Sequence, residues 1–419
     1  MFEFPLIPLV HVADIRMGQS PDSTYIQEGT EQGVPFLQGN AEFGVKYPTA
    51  KYSCIQPPRV AEPGSSLISV RAPVGETNIA DQTYCIGRGL SAVSFHRYGE
   101  VLGRELLNFH AKDLDKVSQG TTFAAISGNE LKSLLIAEIP EQEAAVLETI
   151  LDTLDTQIQK TEALIAKLEK VKEGLLHDLL TRGIDENGRL RPRYEQAPEL
   201  YKESPLGLIP REWIPSSGVE ACKEIVVGIV IKPTQYYRAS GVPILRSANV
   251  RENYLSLDNL IHMSPQDHKA MSKSAVKPGD VLTVRTGYPG TSCVVDGSIE
   301  QANCVDIIIS RTGEGLDPNF WSLWINSDFG KGHVLKSQGG LAQQHFNVGD
   351  LKKIQLPIPT MTEQLKIVRS WKALQKQVQQ ETTQLAKLQA QKHGLMDDLL
   401  TGRVRVTPLL EQAQEAIPA

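Results

Sequence analysis

The chain repeats itself, and no other feature of the sequence restricts its fold as strongly. Gly33-Val-Pro-Phe-Leu-Gln-Gly-Asn40 returns as Gly241-Val-Pro-Ile-Leu-Arg-Ser-Ala248, an offset of 208. Pro63-Gly-Ser-Ser-Leu-Ile-Ser-Val-Arg71 returns one residue shorter as Pro278-Gly-Asp-Val-Leu-Thr-Val-Arg285, and Ser118-Gln-Gly120 returns as Ser337-Gln-Gly339. Ala166-Lys-Leu168 and Gly174-Leu-Leu-His-Asp-Leu-Leu-Thr181 return as Ala386-Lys-Leu388 and Gly394-Leu-Met-Asp-Asp-Leu-Leu-Thr401, now at an offset of 220. The chain is therefore two copies of one unit, and the drifting offset places insertions in loops between matched elements.

Each copy has two parts. Residues 1–140 and 205–359 carry Gly and Pro punctuation between short β-type runs such as Ser66–Val70, Ile225–Ile231, Val281–Val284 and Val305–Ile309. They are expected to be mostly β with a few short helices. Residues 141–181 and 360–401 lack proline and are rich in Leu, Ala, Gln, Glu and Lys, so each is expected to be one long helix. Residues 182–204 read as a connector, and 402–419 as a tail.

The helical parts carry heptads. Leu147, Leu151, Leu154, Ile158, Thr161, Ile165, Leu168, Lys172, Leu175 and Leu179 keep a 4,3,4,3 spacing, and Ile367, Trp371, Leu374, Val378, Glu381, Leu385, Leu388, Lys392, Leu395 and Leu399 repeat it. The polar interruptions fall in step, Thr161 with Glu381 and Lys172 with Lys392. An unbroken seam asks for a partner helix, and the other copy is the obvious one. The expected fold is α+β with a pseudo-twofold internal repeat: two mostly β domains separated by an antiparallel coiled coil whose length, roughly 60 Å per helix, spaces them.

Composition narrows the function. The 419 residues are 41% apolar and 22% charged, with a net charge of −6. That is an ordinary folded chain, only mildly unsuited to a strongly basic partner surface. The longest apolar run, Ile225 to Ile231, is far shorter than the roughly 20 residues of a membrane span. Glu3, Pro5 and Pro8 spoil any signal peptide, and Cys54, Cys85, Cys222, Cys293 and Cys304 are unpaired in spacing. A cytoplasmic protein without a metal site is expected.

Catalytic signatures are weak. There is no phosphate-binding loop and no zinc-protease motif. Gly87-Arg-Gly-Leu-Ser-Ala92 runs into a strand pattern rather than the helix a dinucleotide needs. Asp115 with Glu130-Leu-Lys132 has the spacing of a metal-dependent nuclease, but only Asp350-Leu-Lys352 echoes it in the second copy, so a plain helix start is the better reading. Recognition chemistry remains. Gln38, Asn40, Arg71, Ser118 and Gln119 in the first copy, and Lys232, Tyr236, Arg246, Asn249, Arg285, Ser337 and Gln338 in the second, stand beside glycines. Such side chains suit base edges and phosphates.

These residues resemble a known family. Gly18-Gln-Ser-Pro21, Gly33-Val-Pro35, Ser69-Val-Arg-Ala-Pro-Val-Gly75, Gly228-Ile-Val-Ile-Lys-Pro-Thr-Gln-Tyr-Tyr237, Val284-Arg-Thr-Gly287, Gln338-Gly-Gly340 and both Asp-Leu-Leu-Thr helix ends look like the specificity subunit of type I restriction-modification systems. The resemblance covers almost the whole chain. It implies a non-catalytic subunit in which two target-recognition domains read a bipartite double-stranded DNA site. It also implies two methyltransferase (modification) subunits using S-adenosylmethionine, restriction and translocation subunits using ATP and Mg2+, and no cofactor in this chain. The alternatives are the DNA-recognition subunit of a methylation-only system, or a coiled-coil scaffold that binds proteins.

Overall fold

The structure, a computed structural model, describes residues 3–118, 125–337 and 346–410, with backbone alone at 112–113, 115–118 and 333–337. The duplication is visible strand by strand. In the first copy an antiparallel sheet runs in the order Ala13–Met17, Leu90–Phe95, Ser66–Ser69, Thr77–Ile79. In the second, Cys222–Val227, Ile307–Thr312, Val281–Val284 and Ser292–Val294 take the same places.

A second sheet centres on Val34–Leu37 lying parallel to Tyr84–Ile86, flanked by Tyr52–Cys54 and Val60–Ala61. Its counterpart centres on Val242–Leu245 parallel to Ala302–Cys304, flanked by Ile261–Met263 and Ala275–Val276. The first copy adds one edge strand, Ile26–Glu28. Entry and exit strands also pair in each copy, Leu6–Pro8 with Leu135–Ala137 and Ile214–Ser217 with Gln355–Ile358.

The helices depart from the expectation of a few short ones. Glu100–Ser118 is a 19-residue helix that buries Val101, Leu102, Leu106, Leu107 and Leu114. The second copy breaks the same element at Ser327, giving Pro318–Asn326 and Asp328–Ser337. Ile225–Ile231 is strand only as far as Val227. Tyr201–Ser204 pairs with Gly207–Pro210, so the expected border between connector and second domain falls inside one hairpin. Glu130 is the helix start foreseen: its carboxylate accepts from the Ser127 N–H at 2.6 Å, and Asp350 repeats this with Asn347 at 3.1 Å.

The two long helices run Glu141–Thr181 and Met361–Thr401. Spatially the chain divides into Met1–Leu164 with Glu381–Ala419, and Ile165–Gln380. Each β-rich part thus takes half of each long helix into its own unit, rather than leaving the helices as separate domains. The reason is burial. In the first unit Leu147 and Leu151 share a core with Leu399, Leu400 and the domain's Val101, Leu102 and Leu106. In the second, Leu179, Ile367 and Trp371 join Trp213, Phe320 and Trp324. Within each unit the helix halves run antiparallel: Glu143 meets Arg405 while Asp155 meets Lys392 in the first.

Of the expected seam, Val378 and Leu388 are also buried, while Leu154, Ile158, Ile165, Leu168, Leu175, Leu374 and Leu385 are half-buried. Leu395 is a correction: it is 38% exposed. A straight helix drifts about 20° per heptad against a 3.5-residue repeat, and the neighbouring Met396 takes the inward place. The interruption at Lys392 has a structural cause. Its ammonium bonds Asp155 at 2.5 Å and Glu105 at 2.9 Å, and Arg104 bonds the same two carboxylates at 2.6 and 2.5 Å. Burial raises the Glu105 carboxyl, but the charges of Arg104 and Lys392 outweigh it and hold it below its ordinary range.

Candidate nucleic-acid interface

The parallel strand pair at the centre of each domain delivers loops to one edge. In the second domain, Arg246 follows Val242–Leu245, and Asp306 follows Ala302–Cys304 by two residues. Gly228 brings a third loop against them: a Cβ there would lie 2.5 Å from the Cys304 carbonyl oxygen, which excludes every other residue without a shift. The loop is then pinned, because Ile229 N–H donates to Cys304 O at 2.9 Å and Asp306 N–H donates to Ile229 O at 3.1 Å. Cys304 itself is fully buried, and burial pushes its thiol up, so it serves packing.

Asp306 stands in the left-handed region, φ 53°, and ties the fourth loop. Its carboxylate accepts from Arg285 Nη1 at 2.5 Å and from Thr286 Oγ1 at 3.1 Å. The side chains that face solvent on these loops include Val230, Ile231, 76% exposed, Lys232, and Tyr288, 80% exposed. A cation and unburied apolar side chains on adjoining loops form a surface for something both charged and flat-faced.

The first domain builds the same edge from different residues. Gln38 follows Val34–Leu37, Gly87 N–H donates to Leu37 O as Val305 N–H does to Leu245 O, and Arg88 therefore occupies the place of Asp306. Gly18 plays the part of Gly228, its Cβ position being 2.2 Å from Gly87 O. The expected match of Arg71 with Arg285, which needed a one-residue deletion, is corrected by the structure: Ile126 N–H donates to Val70 O as Phe346 N–H does to Arg285 O, so Val70 takes the place of Arg285 and Arg71 that of Thr286. Arg71 is exposed, and Val70 N–H ties its loop to Gly89 O at 2.9 Å. Arg88 donates through Nε to Ser20 Oγ at 3.2 Å. Among the described residues neither arginine has an ion-pair partner.

Gln38, Arg71, Lys232, Arg246 and Arg285 are thus brought together, domain by domain. Arg246 is half-buried and spends one Nη2 bond on Asn259 O at 2.7 Å. Other expectations need correction. Asn249 is 1% exposed and its amide is consumed by Arg246 N–H, Ser256 O and Asp258 O, so it builds a turn. Its counterpart is Glu42, which accepts from Gly39 N–H. Tyr236 packs on the apolar cluster of Ile229, Val242 and Ile244 and serves the core. Asn40 donates to Glu76 at 2.7 Å and is half-buried. Ser118 and Ser337 end helices with side chains outside the described atoms, and Gln119 and Gln338 lie outside the described residues.

Parts of this chain match known proteins. Residues 266–390 match the type I restriction modification DNA specificity domain. Over 170 residues the chain is 36% identical to a putative type I restriction enzyme MjaX specificity subunit of Methanocaldococcus jannaschii, 40% of each chain. Over 309 residues it is 24% identical to the type I restriction enzyme MjaVIII specificity subunit of the same organism, 71% of this chain and 68% of that one. Residues 266–390 thus match one DNA specificity domain, and over most of its length the chain is similar to type I restriction enzyme specificity subunits. The fold is shared with the S subunit of a type I restriction-modification system from M. genitalium, with a TM-score of 0.60 at 14% identity over 95% of this chain and 96% of that one.

Sequence reading passed over Arg88, Asp306, Ile231 and Tyr288. Arg88 was weighed only as part of a poor nucleotide motif. Its signal lay in the repeat: aligning the two parallel strand pairs sets Arg88 against Asp306 directly.

Proposed function

We propose that the chain is the DNA-reading subunit of a type I restriction-modification assembly, with no catalytic role of its own. Each β-rich domain reads one half of a bipartite, asymmetric site. The observation that supports this most is the pair of equivalent loop edges, each organised by a close-approach glycine, Gly18 and Gly228, and each carrying arginines on its loops, Arg71 and Arg88 in the first domain and Arg246 and Arg285 in the second. Two similar but non-identical readers suit two unlike half-sites. The chain's net charge of −6 offers little counterion release, so tight binding draws on partner charge. The partners proposed are two methyltransferase subunits, which would use S-adenosylmethionine, and restriction subunits, which would use ATP and Mg2+.

Co-expression with the candidate methyltransferase, followed by purification and mapping of methylated bases, tests the reading. A complex that methylates a bipartite site supports it, and recovery of restriction subunits in the same complex separates it from a methylation-only system. A chain that brings down no methyltransferase and no DNA is a scaffold.

A further inference from the structure

We propose that the two domains hold DNA by unlike means: the first through two uncompensated arginines, Arg71 and Arg88, on phosphates, the second through Arg285, held by Asp306 as a reader of base edges. The inference rests on the DNA-reading function proposed above and adds how each half-site is gripped.

The difference lies at two matched positions: the place of Arg285 is taken by Val70, with Arg71 the next residue, and the place of Asp306 is taken by a cation. Where the second domain has Asp306, 2.5 Å from the Arg285 guanidinium, the first has Arg88. The first edge therefore carries two exposed cations, and among the described residues neither is ion-paired. An unpaired guanidinium on an exposed loop is free to follow a phosphate and releases counterions when it does so, whatever the sequence.

Arg285 is placed otherwise. Its side chain is 20% exposed, its Nε is buried, and Asp306 takes one hydrogen of Nη1. A neighbouring carboxylate repels phosphate and cancels the charge that counterion release would count. It also fixes the plane of the fork, leaving a hydrogen on Nη1 and two on Nη2. A held, planar pair of donors matches the two acceptors of guanine in the major groove and loses little entropy on binding. Tyr288, on the same loop, is 80% exposed and offers an aromatic face on which a base can stack.

The experiment measures affinity of the complex with its methyltransferase subunits for a duplex carrying the mapped site, and for single-base variants of it, across a series of salt concentrations. Arg71→Ala and Arg88→Ala should each flatten the plot of log affinity against log salt by about 0.9 and weaken all duplexes alike. Arg285→Ala should leave that slope unchanged and lose roughly 5- to 150-fold in discrimination at one half-site. Asp306→Asn, nearly isosteric, should steepen the slope by about 0.9 while lowering discrimination, because Arg285 regains its charge and its freedom. Thermal melts establish that each variant is folded, and Arg285→Lys serves as a second probe, retaining charge but not the fork. Equal slope changes for Arg71→Ala and Arg285→Ala overturn the inference, as does an unchanged slope for Asp306→Asn. A wild-type complex that binds no duplex at any salt overturns the proposed function instead.

Discussion

Glu363 shows how much one residue can hold. It is 5% exposed, and its carboxylate accepts from Arg191 twice, from Trp213 Nε1 at 3.1 Å and from Ile184 N–H at 2.9 Å. Its counterpart one repeat earlier, Glu143, is bound by Arg405. The two arginines are themselves repeated, in Gly188-Arg-Leu-Arg191 and Gly402-Arg-Val-Arg405. Each motif follows one long helix and grips the first turn of the other. Glu363→Gln leaves the buried Arg191 with only the exposed Glu212, 3.4 Å away, and should cost about 3–5 kcal/mol in urea unfolding. Glu143→Gln should cost about 1 kcal/mol or less, because the Arg405 side chain is 42% exposed. The hydrogen bond from Arg405 outweighs burial and lowers the Glu143 pKa. Its contribution is therefore present above the unfolded carboxylate value of about 4.3 and is lost as pH falls through the lower folded value. Acid titration of stability should be shallower in Glu143→Gln below about pH 4.5, and an identical acid limb would refute the assignment. The five cysteines are buried, and burial pushes Cys85, Cys222 and Cys293 up to about 12. None should react with a thiol reagent at neutral pH until the chain is unfolded.

At the scale of elements, the long helices combine a regular seam with two deliberate interruptions. Lys392 answers to buried acids, while Lys172 pairs with Glu169 one turn earlier on its own helix. The positions facing them differ accordingly: Glu105 and Asp155 in the first unit, Trp324 and Gln375 at the repeat-equivalent places in the second. Heptad counting alone gave Leu388 and Leu395 equal standing. Burial separates them, Leu388 being 6% exposed and Leu395 38%. Leu388→Ala should lower stability by about 2–4 kcal/mol and Leu395→Ala by less than about 0.5 kcal/mol in thermal unfolding. Equal losses would restore the register read from the heptads.

For the molecule as a whole, duplication predicts modular behaviour. Arg246→Ala or Arg285→Ala should alter discrimination at one half-site only, by about 1–3 kcal/mol where the contact is to a base, and Gln38→Ala should alter the other. Methylation mapping checks this. A change at both half-sites from any one of these substitutions would show that the domains do not read separately.

The duplication, the alternation of β-rich and helical parts, the long helices and the family resemblance were legible in the sequence, because all rest on patterns of residue type and spacing that local chemistry enforces. The helix Glu100–Ser118 was not, because its inward face mixes Leu with Arg104, Glu105 and His110, whose burial depends on partners distant in sequence. Only the tertiary structure showed that Asn249 is spent on a turn, that Asp306 holds Arg285 where Arg88 leaves Arg71 free, and that Arg191 and Arg405 close on Glu363 and Glu143. A side chain's availability is set by the hydrogen bonds and charges that folding brings to it, and those partners lie tens to hundreds of residues away.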